Sequence, residues 1–386
     1  NNVNGNTVSN WLRTPKQGSY TLNYVWKLDS AGSTIKATID HTYSLKTERN
    51  DVRSSYNELS FNRRYRSNTP SNTDINTGQI DLVKTLNKQS AFAAGVKIVS
   101  TSRDNSILTE RMPINNWLKD SAASDDYRYT EKLLMFYTSY DRTFGKTTVK
   151  IGLRGEQTKA TGYSVITKET IRRSYFGWFP SVFISRVINA EKGESFNLNY
   201  SRRVRRPGYN DLNPYRLQVH DFTILTGNPD LIPQYTHSFR AGYSFWSKLS
   251  VGAYLLTTQH YIALTAKAID SIIEYRSKNF RNSTEYGFFA EHNFTVAKTW
   301  NIRSSFSYYR LSNDISGRKY KLNTFNIQNI QVIMLPKLVN IDVVAWYYSP
   351  MLQANENQAE NFNLDIGFTR TVLKNRGRLR FMMTDI

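Results

Sequence analysis

Cysteine is absent from all 386 residues. That excludes disulfide staples, thiol catalysis and thiolate-bound zinc. It fits an ordinary cysteine-free protein and equally an envelope protein that avoids stray disulfides in an oxidising compartment. Long apolar runs are missing too. A helix that crosses a bilayer needs roughly 20 consecutive apolar residues, and the densest stretch here, Leu133-Leu134-Met135-Phe136-Tyr137, is far shorter. With 39% hydrophobic residues and a mean hydropathy of −0.54, a helical span is excluded. A β-barrel is not, because its strands alternate lipid-facing and lumen-facing residues and so dilute the average.

Other signals are lacking as well. No basic, apolar leader opens the chain at Asn1-Asn2-Val3-Asn4, and it stops at Met382-Met383-Thr384-Asp385-Ile386 inside a strand-like stretch, so both ends are expected to be cuts. There is no Gly-x-Ser-x-Gly elbow, phosphate-binding loop or HExxH. The five histidines, His41, His220, His237, His260 and His292, have no metal-ligand spacing. The expectation is a protein that is not an enzyme and uses no metal and no cofactor.

What is present is alternation. Leu22, Tyr24, Trp26 and Leu28 alternate with Thr21, Asn23 and Lys27; Val149, Ile151 and Leu153 alternate with Lys150, Gly152 and Arg154. The pattern returns at Phe196, Leu198 and Tyr200, at Phe239, Ala241, Tyr243 and Phe245, and at Phe362, Leu364, Ile366 and Phe368. Period two marks half-buried strands, and no helical period is sustained anywhere. The class is all-β.

Connections alternate as strictly as the residues do. Short polar links fall at Asp29–Ser33, Asn87–Ser90, Phe144–Thr147, Asn189–Gly193, Trp246–Lys248, Ala297–Trp300, Pro336–Lys337 and Lys374–Gly377. Longer ones separate them, at Thr47–Asp74, Arg103–Thr130, Lys159–Thr170, Pro207–Gln234, Leu264–Ser271, Asn313–Lys319 and Pro350–Ala359. Short periplasmic turns and long extracellular loops are the habit of outer-membrane barrels; Greek-key sandwiches have no reason for it. Strands about 10–14 residues long, roughly sixteen in number from Ser19 onward, are enough to cross a bilayer at the usual tilt. The fold expected is an antiparallel up-and-down transmembrane β-barrel, incomplete, with about 16 strands of a 22-stranded wall. Residues 1–386 are then one barrel segment, with earlier strands and a closing strand outside it. Aromatics, 13% of residues, gather near strand ends (Tyr127 and Tyr129, Trp178-Phe179, Trp346-Tyr347-Tyr348), as interfacial girdles would.

Two motifs carry a resemblance. Tyr200-Ser201-Arg202-Arg203-Val204-Arg205-Arg206-Pro207-Gly208-Tyr209-Asn210-Asp211-Leu212-Asn213-Pro214 is followed by Thr226-Gly227-Asn228-Pro229-Asp230-Leu231-Ile232-Pro233-Gln234-Tyr235-Thr236. They resemble the Y-S-R-R-x-x-R-P-x-Y-x-D-L-N-P and G-N-P-x-L-x-P-E-Y patterns of the outer-membrane β-barrel family related to TonB-dependent receptors, of the Bacteroidota type. Gln234 stands where that family commonly has Glu. Asn279 and Gly287 resemble further landmarks, and Phe289-Ala290-Glu291 matches one only loosely. The resemblance implies an energised uptake receptor for a siderophore, vitamin or glycan, with a plug and TonB-contacting segment that these residues do not include. Its partners would be outer-membrane lipid, lipopolysaccharide and the TonB complex, and no nucleic acid. A non-transporting barrel that scaffolds surface lipoproteins or an envelope complex is the alternative. The motif residues Pro207, Asn213, Pro214, Gly227, Asn228, Pro229 and Pro233 are expected to be structural.

Charge is one-sided: 51 Lys and Arg against 31 Asp and Glu, a formal +20. It fits a cationic vestibule that gathers an anionic ligand, contact with anionic lipopolysaccharide, a basic nucleic-acid surface, or a solvated polar lumen whose acidic counterparts lie elsewhere. Candidate ligand or anion contacts are Arg202, Arg203, Arg205, Arg206, Tyr209, Tyr215 and Trp117, because loops at a barrel mouth set selectivity. Alternation puts Arg203 and Arg205 on one face and Arg202, Val204 and Arg206 on the other.

Overall fold

The structure, a computed structural model, describes residues 4–58, 62–165, 168–270, 272–296, 298–315, 317–336, 338–374 and 376–386. Of the predicted links, residues 59–61, 166–167, Ser271, Ala297, Ser316, Lys337 and Asn375 lie outside them, as does the side chain of His220. In chain order the strands are β1 (Gly5–Lys27), β2 (Thr34–Tyr56), β3 (Arg63–Asn87), β4 (Ser90–Arg111), β5 (Leu118–Lys119), β6 (Asp125–Phe144) and β7 (Thr147–Ser164). Then come β8 (Thr170–Asn189), β9 (Glu194–Arg205), β10 (Arg216–His220), β11 (Thr223–Thr226), β12 (Gln234–Phe245), β13 (Leu249–Ile269) and β14 (Ile272–Val296). The last are β15 (Trp300–Ile315), β16 (Arg318–Leu335), β17 (Val339–Tyr348), β18 (Met351–Gln353), β19 (Glu356–Gln358), β20 (Asn361–Val372) and β21 (Gly377–Met383).

Sixteen of them form one antiparallel meander; β5, β10, β11, β18 and β19 belong to the connections. Among the described residues, no ladder joins β1 to β21, so the sheet is open at both edges.

Alternation makes this meander a wall. Register sets Leu22 opposite Ile39, Val96 opposite Phe136, Ile151 opposite Val182, Leu198 opposite Ala241, Phe288 opposite Tyr308 and Val343 opposite Ile366. One face therefore carries a continuous apolar band, and its members are open rather than buried: Leu22 is 70% exposed and Phe288 65%. The other face is polar and braced by its own contacts. Tyr137 donates to Asp81, and Arg240 lies 3.6 Å from the Phe289 ring centre while bonding Glu291 at 3.1 Å. Apolar outside and polar inside is the arrangement lipid selects.

The five short links that lie wholly within the described residues, from Asp29–Ser33 to Trp246–Lys248, are tight connections, as the sequence pattern requires. In the two-residue turn between β6 and β7, Gly145 has φ +56°, the left-handed conformation such hairpins need. At the β1–β2 turn, Asp29 Oδ1 accepts from Ala31 N and Ser33 N, both at 3.0 Å, and Oδ2 accepts from Lys84 at 2.9 Å. Lys84 and the Ser33 hydroxyl hold the Asp29 carboxyl well below the usual carboxylate range.

At the opposite end the strands run on past where alternation stops. β3 and β14 each have 25 residues, and β1 begins at Gly5, ahead of the expected start near Ser19. Much of Thr47–Asp74, expected as loop, is ladder between β2 and β3. Beyond the bilayer both faces of a hairpin meet water, so pairing continues without any hydropathy signal to mark it. Among the described residues two hydrophobic clusters form, and they lie at this end: Tyr127, Tyr129, Ala160, Tyr209, Leu212, Leu231 and Ile262 in one, Ala263, Phe280, Ile315 and Ala354 in the other.

Candidate ligand-binding mouth

The connection between β9 and β12 builds the mouth. β9 pairs directly with β12, from Gln234 opposite Arg205 downward, so the intervening residues leave the wall. Pro207 starts the departure; it lacks an N–H and stands where the ladder has ended. A short helix, α1 (Tyr209–Leu212), follows, with Asp211 reaching back to accept from Gly208 N at 3.0 Å. The β10–β11 hairpin then runs parallel to β14, Thr223–Thr226 against Ile273–Arg276. That edge of β14 is available because the β15 ladder starts only at Asn282.

Each end of the connection is fastened. Asn228 Nδ2 donates to Ser277 O at 3.0 Å, and Ser277 Oγ to Asp211 at 2.9 Å. Asn279 accepts from Ile232 N at 2.8 Å and donates to Ile232 O and His260 O, tying the connection to β13 at the point where His260 has φ +53°. Gln234 Oε1 accepts from the buried Ile262 N at 2.9 Å; a glutamate there would supply the same acceptor. Gly227 lies against Asn213 so closely that a Cβ would sit 2.0 Å from the Asn213 carbonyl oxygen. Pro214, Pro229 and Pro233 lie along this path, with Pro233 buried. On the far side, Tyr209 packs on Tyr127 and Tyr129, ring centres 5.5 and 5.7 Å away, under the Arg103 guanidinium at 4.5 Å. Burial pushes the Tyr209 phenol above its ordinary value. The connection thus crosses the mouth from β4, β6 and β7 to β13 and β14.

The arginine run is divided by this architecture. Arg206 pairs with the buried Glu156, which Arg154 also contacts at 2.6 Å, and its Nε donates to Thr158 at 3.1 Å. Burial alone would lower the Arg206 pKa; the Glu156 carboxylate overrides it and holds the pKa up. Arg202 donates to Trp178 O at 2.9 Å and lies over the Tyr235 ring at 4.8 Å. It supplies a donor to the Trp178 carbonyl just beyond the point where the β8–β9 ladder stops, at Ser181 opposite Ser201. Arg203 and Arg205 are exposed, and among the described residues no carboxylate pairs with either. Arg203 lines an inner-face cavity of about 720 Å³ with Lys97, Arg154 and Phe179. Tyr215 is half-buried beside Asn213, whose Oδ1 accepts its N–H at 3.3 Å.

Trp117 is stacked beneath two guanidiniums, Arg66 at 4.3 Å and Arg64 at 5.3 Å. Arg64 also lines a second cavity, of about 380 Å³, between the outer ends of β3 and β4 and the β10–β11 hairpin. Arg63, Tyr65, Arg111, Met112 and Asp221 line it too. Tyr65 and Asp221 are buried, at 7% and 4% exposure. Asp221 Oδ2 accepts from Tyr56 at 2.5 Å, while Asp221 Oδ1 and the Tyr65 hydroxyl have no partner among the described residues. Burial, then the nearby Asp221 charge, raises the Tyr65 pKa. Sequence reasoning did not single out Tyr65, Asp221 or Arg63. They come from two stretches far apart in sequence, the start of β3 and the β10–β11 turn, and only the folded connection brings them together.

Comparisons with known proteins agree with this architecture. The sequence matches the outer membrane protein β-barrel family over residues 26–386. No curated protein matches it. Among solved structures it is similar to the copper transporter OprC, with 10% identity over 96% of this chain and 66% of that one, TM-score 0.64. It is also similar to the pyoverdine outer membrane receptor FpvA of Pseudomonas aeruginosa PAO1 (14% identity, 94% and 55% covered, TM-score 0.65). A third is the ferric yersiniabactin uptake receptor FyuA of Yersinia pestis (9%, 92% and 56%, TM-score 0.60). The chain therefore spans between about half and two thirds of the length of these structures, and the likeness is one of fold. From the apolar outer band, the polar inner face and the family match, the chain belongs to the outer membrane protein β-barrel family, in the bacterial outer membrane.

Proposed function

We propose that this chain forms wall and mouth of an outer-membrane receptor that binds an extracellular nutrient and admits it through the barrel. The observation that carries this reading is the cavity beside Trp117, where two buried polar atoms, the Tyr65 hydroxyl and Asp221 Oδ1, await partners beneath a rim of arginines. Buried polar groups are nearly always satisfied, and a concave site with a few convergent polar groups is the usual form of a ligand site. The similarity to siderophore and copper uptake proteins supports the same class of role. In this reading the exposed Arg203 and Arg205 draw anionic solutes toward the lumen. Further strands complete the wall at both edges, since lipid does not tolerate an open ladder. A plug inside the barrel would couple entry to the TonB complex.

The test uses the full-length protein in cells whose own copy is deleted. Uptake of ferric catecholate, ferric hydroxamate, cobalamin and oligosaccharide probes is measured with wild type, Asp221→Asn and Tyr65→Phe. Uptake of one class that needs TonB and falls in both variants is the expected result. No uptake of any class would contradict it. One feature favours a second reading, a static scaffold for surface lipoproteins: the mouth connection is pinned by a buried cluster rather than hung as a free loop. That reading predicts no uptake and a lipoprotein retained through detergent purification.

A further inference from the structure

The outer face of β6, β7 and β8 holds a cluster of cations that the wall itself does not explain. Lys132 on β6 stands directly opposite Lys159 on β7. On β8, Arg172 pairs with Thr161 and is the diagonal neighbour of Lys159 on the same face. All three are exposed. Side chains directly opposite across antiparallel strands have Cβ atoms about 5 Å apart, and like charges so placed destabilise the sheet. Among the described residues no carboxylate pairs with any of the three. Their neighbours on that face are neutral hydrogen-bonding groups: Ser100, Thr130, Gln157 and Ser174. Asp126, further up, is shared with Arg128 at 3.8 Å.

Height along the strand decides what faces this cluster. β6 and β7 share the turn after Phe144, and Lys132 and Lys159 both lie about twelve positions from it, just beyond the roughly 9–11 residues that cross the hydrocarbon. Directly below is an aromatic platform. Phe136, Phe176 and Trp178 touch one another with ring centres 5.1–6.1 Å apart, all more than 40% exposed. Gly155 makes room for it, because a Cβ there would meet the Phe136 ring at 2.4 Å. Leu134 and Leu153 flank the platform.

We propose that this patch binds a phosphorylated lipid of the outer leaflet, its phosphate between Lys132, Lys159 and Arg172 and its acyl chains on Phe136, Phe176 and Trp178. An anion at that point turns the Lys132–Lys159 repulsion into a shared contact, and charge-assisted bonds to phosphate are the strong kind. The site is independent of whatever the mouth binds.

The test uses full-length protein in detergent, with bisphosphorylated lipid A, dephosphorylated lipid A and inorganic phosphate as separate probes. Binding is read by native mass spectrometry, stability by the thermal midpoint. Bisphosphorylated lipid A should stay bound to wild type and raise its midpoint, and the other two should do neither. In the double variant Lys132→Gln/Lys159→Gln and in Arg172→Gln, affinity should fall about tenfold or more. Without lipid, the double variant should melt at or above the wild-type midpoint, because the repulsion is gone; this separates lost binding from misfolding. Lumen-facing Lys97→Gln should behave as wild type. Equal lipid A retention by the double variant, or inorganic phosphate protecting wild type as well as lipid A does, would overturn the proposal.

Discussion

The lower wall and the mouth bury their residues by opposite rules. In the wall, large apolar side chains such as Leu198 and Phe288 are exposed, at 42% and 65%, while polar groups line the inside. At the mouth, Tyr127 and Leu231 are 2% and 0% exposed, packed as in a soluble core. The difference teaches where stability comes from. Lipid satisfies the wall's side chains, so the wall depends on its ladder and on which face meets the bilayer. The mouth stands in water and must make its own apolar interior.

That contrast can be broken most severely at Gly227. Its Cβ position lies 2.0 Å from the Asn213 carbonyl oxygen, so Gly227→Val should cost more than about 4 kcal/mol locally and release the mouth connection. Protease cleavage within residues 207–234, with the wall still resistant, is the expected readout. Matched truncations sharpen the contrast next. Leu231→Ala should cost about 3 kcal/mol, transfer plus cavity, whereas Leu198→Ala should cost about 1 kcal/mol in a bilayer, where lipid refills the space. Urea unfolding in vesicles measures both. A charge tests the two faces of one strand. Leu198→Arg should destabilise by about 2 kcal/mol, and Asn199→Arg, one residue along and lumen-facing, by well under that.

The smallest effect concerns the β1–β2 turn. The Asp29 carboxyl has a lowered pKa, so its contribution is present above the ordinary carboxylate range and is lost as pH falls through the lowered value. The difference between wild type and Asp29→Asn should therefore be present at neutral pH and shrink in strong acid, as read by thermal midpoints at a series of pH values.

Much of the wall was legible because the bilayer imposes a pattern on the sequence. Alternation at Phe196, Leu198 and Tyr200, and the eight short links, placed sixteen wall strands. Where lipid ends, so does the pattern: Arg49, Asp51 and Arg53 pair with β3 in a ladder no hydropathy signal marked. The mouth was less legible still. Alternation divided the arginine run as the structure does, with Arg203 and Arg205 exposed on one face, but it did not give the partners on the other, Glu156 for Arg206 and Trp178 and Tyr235 for Arg202. Those partners lie 24 to 50 residues away, and nothing local encodes such contacts. Asp221 and Tyr65 had no motif at all. Buried polar atoms become visible only once the connection is folded.

Because these residues contain no cysteine, single cysteines placed along β9 test the central claim most directly. Each position from Ser195 to Tyr200 is replaced in turn in the full-length protein, reconstituted in vesicles and labelled with a membrane-impermeant and a lipid-soluble thiol reagent. Positions 196, 198 and 200 should take only the lipid-soluble reagent, and positions 195, 197 and 199 should react with the water-soluble one through the lumen. Labelling of all six by the water-soluble reagent, with no alternation, would contradict a membrane wall.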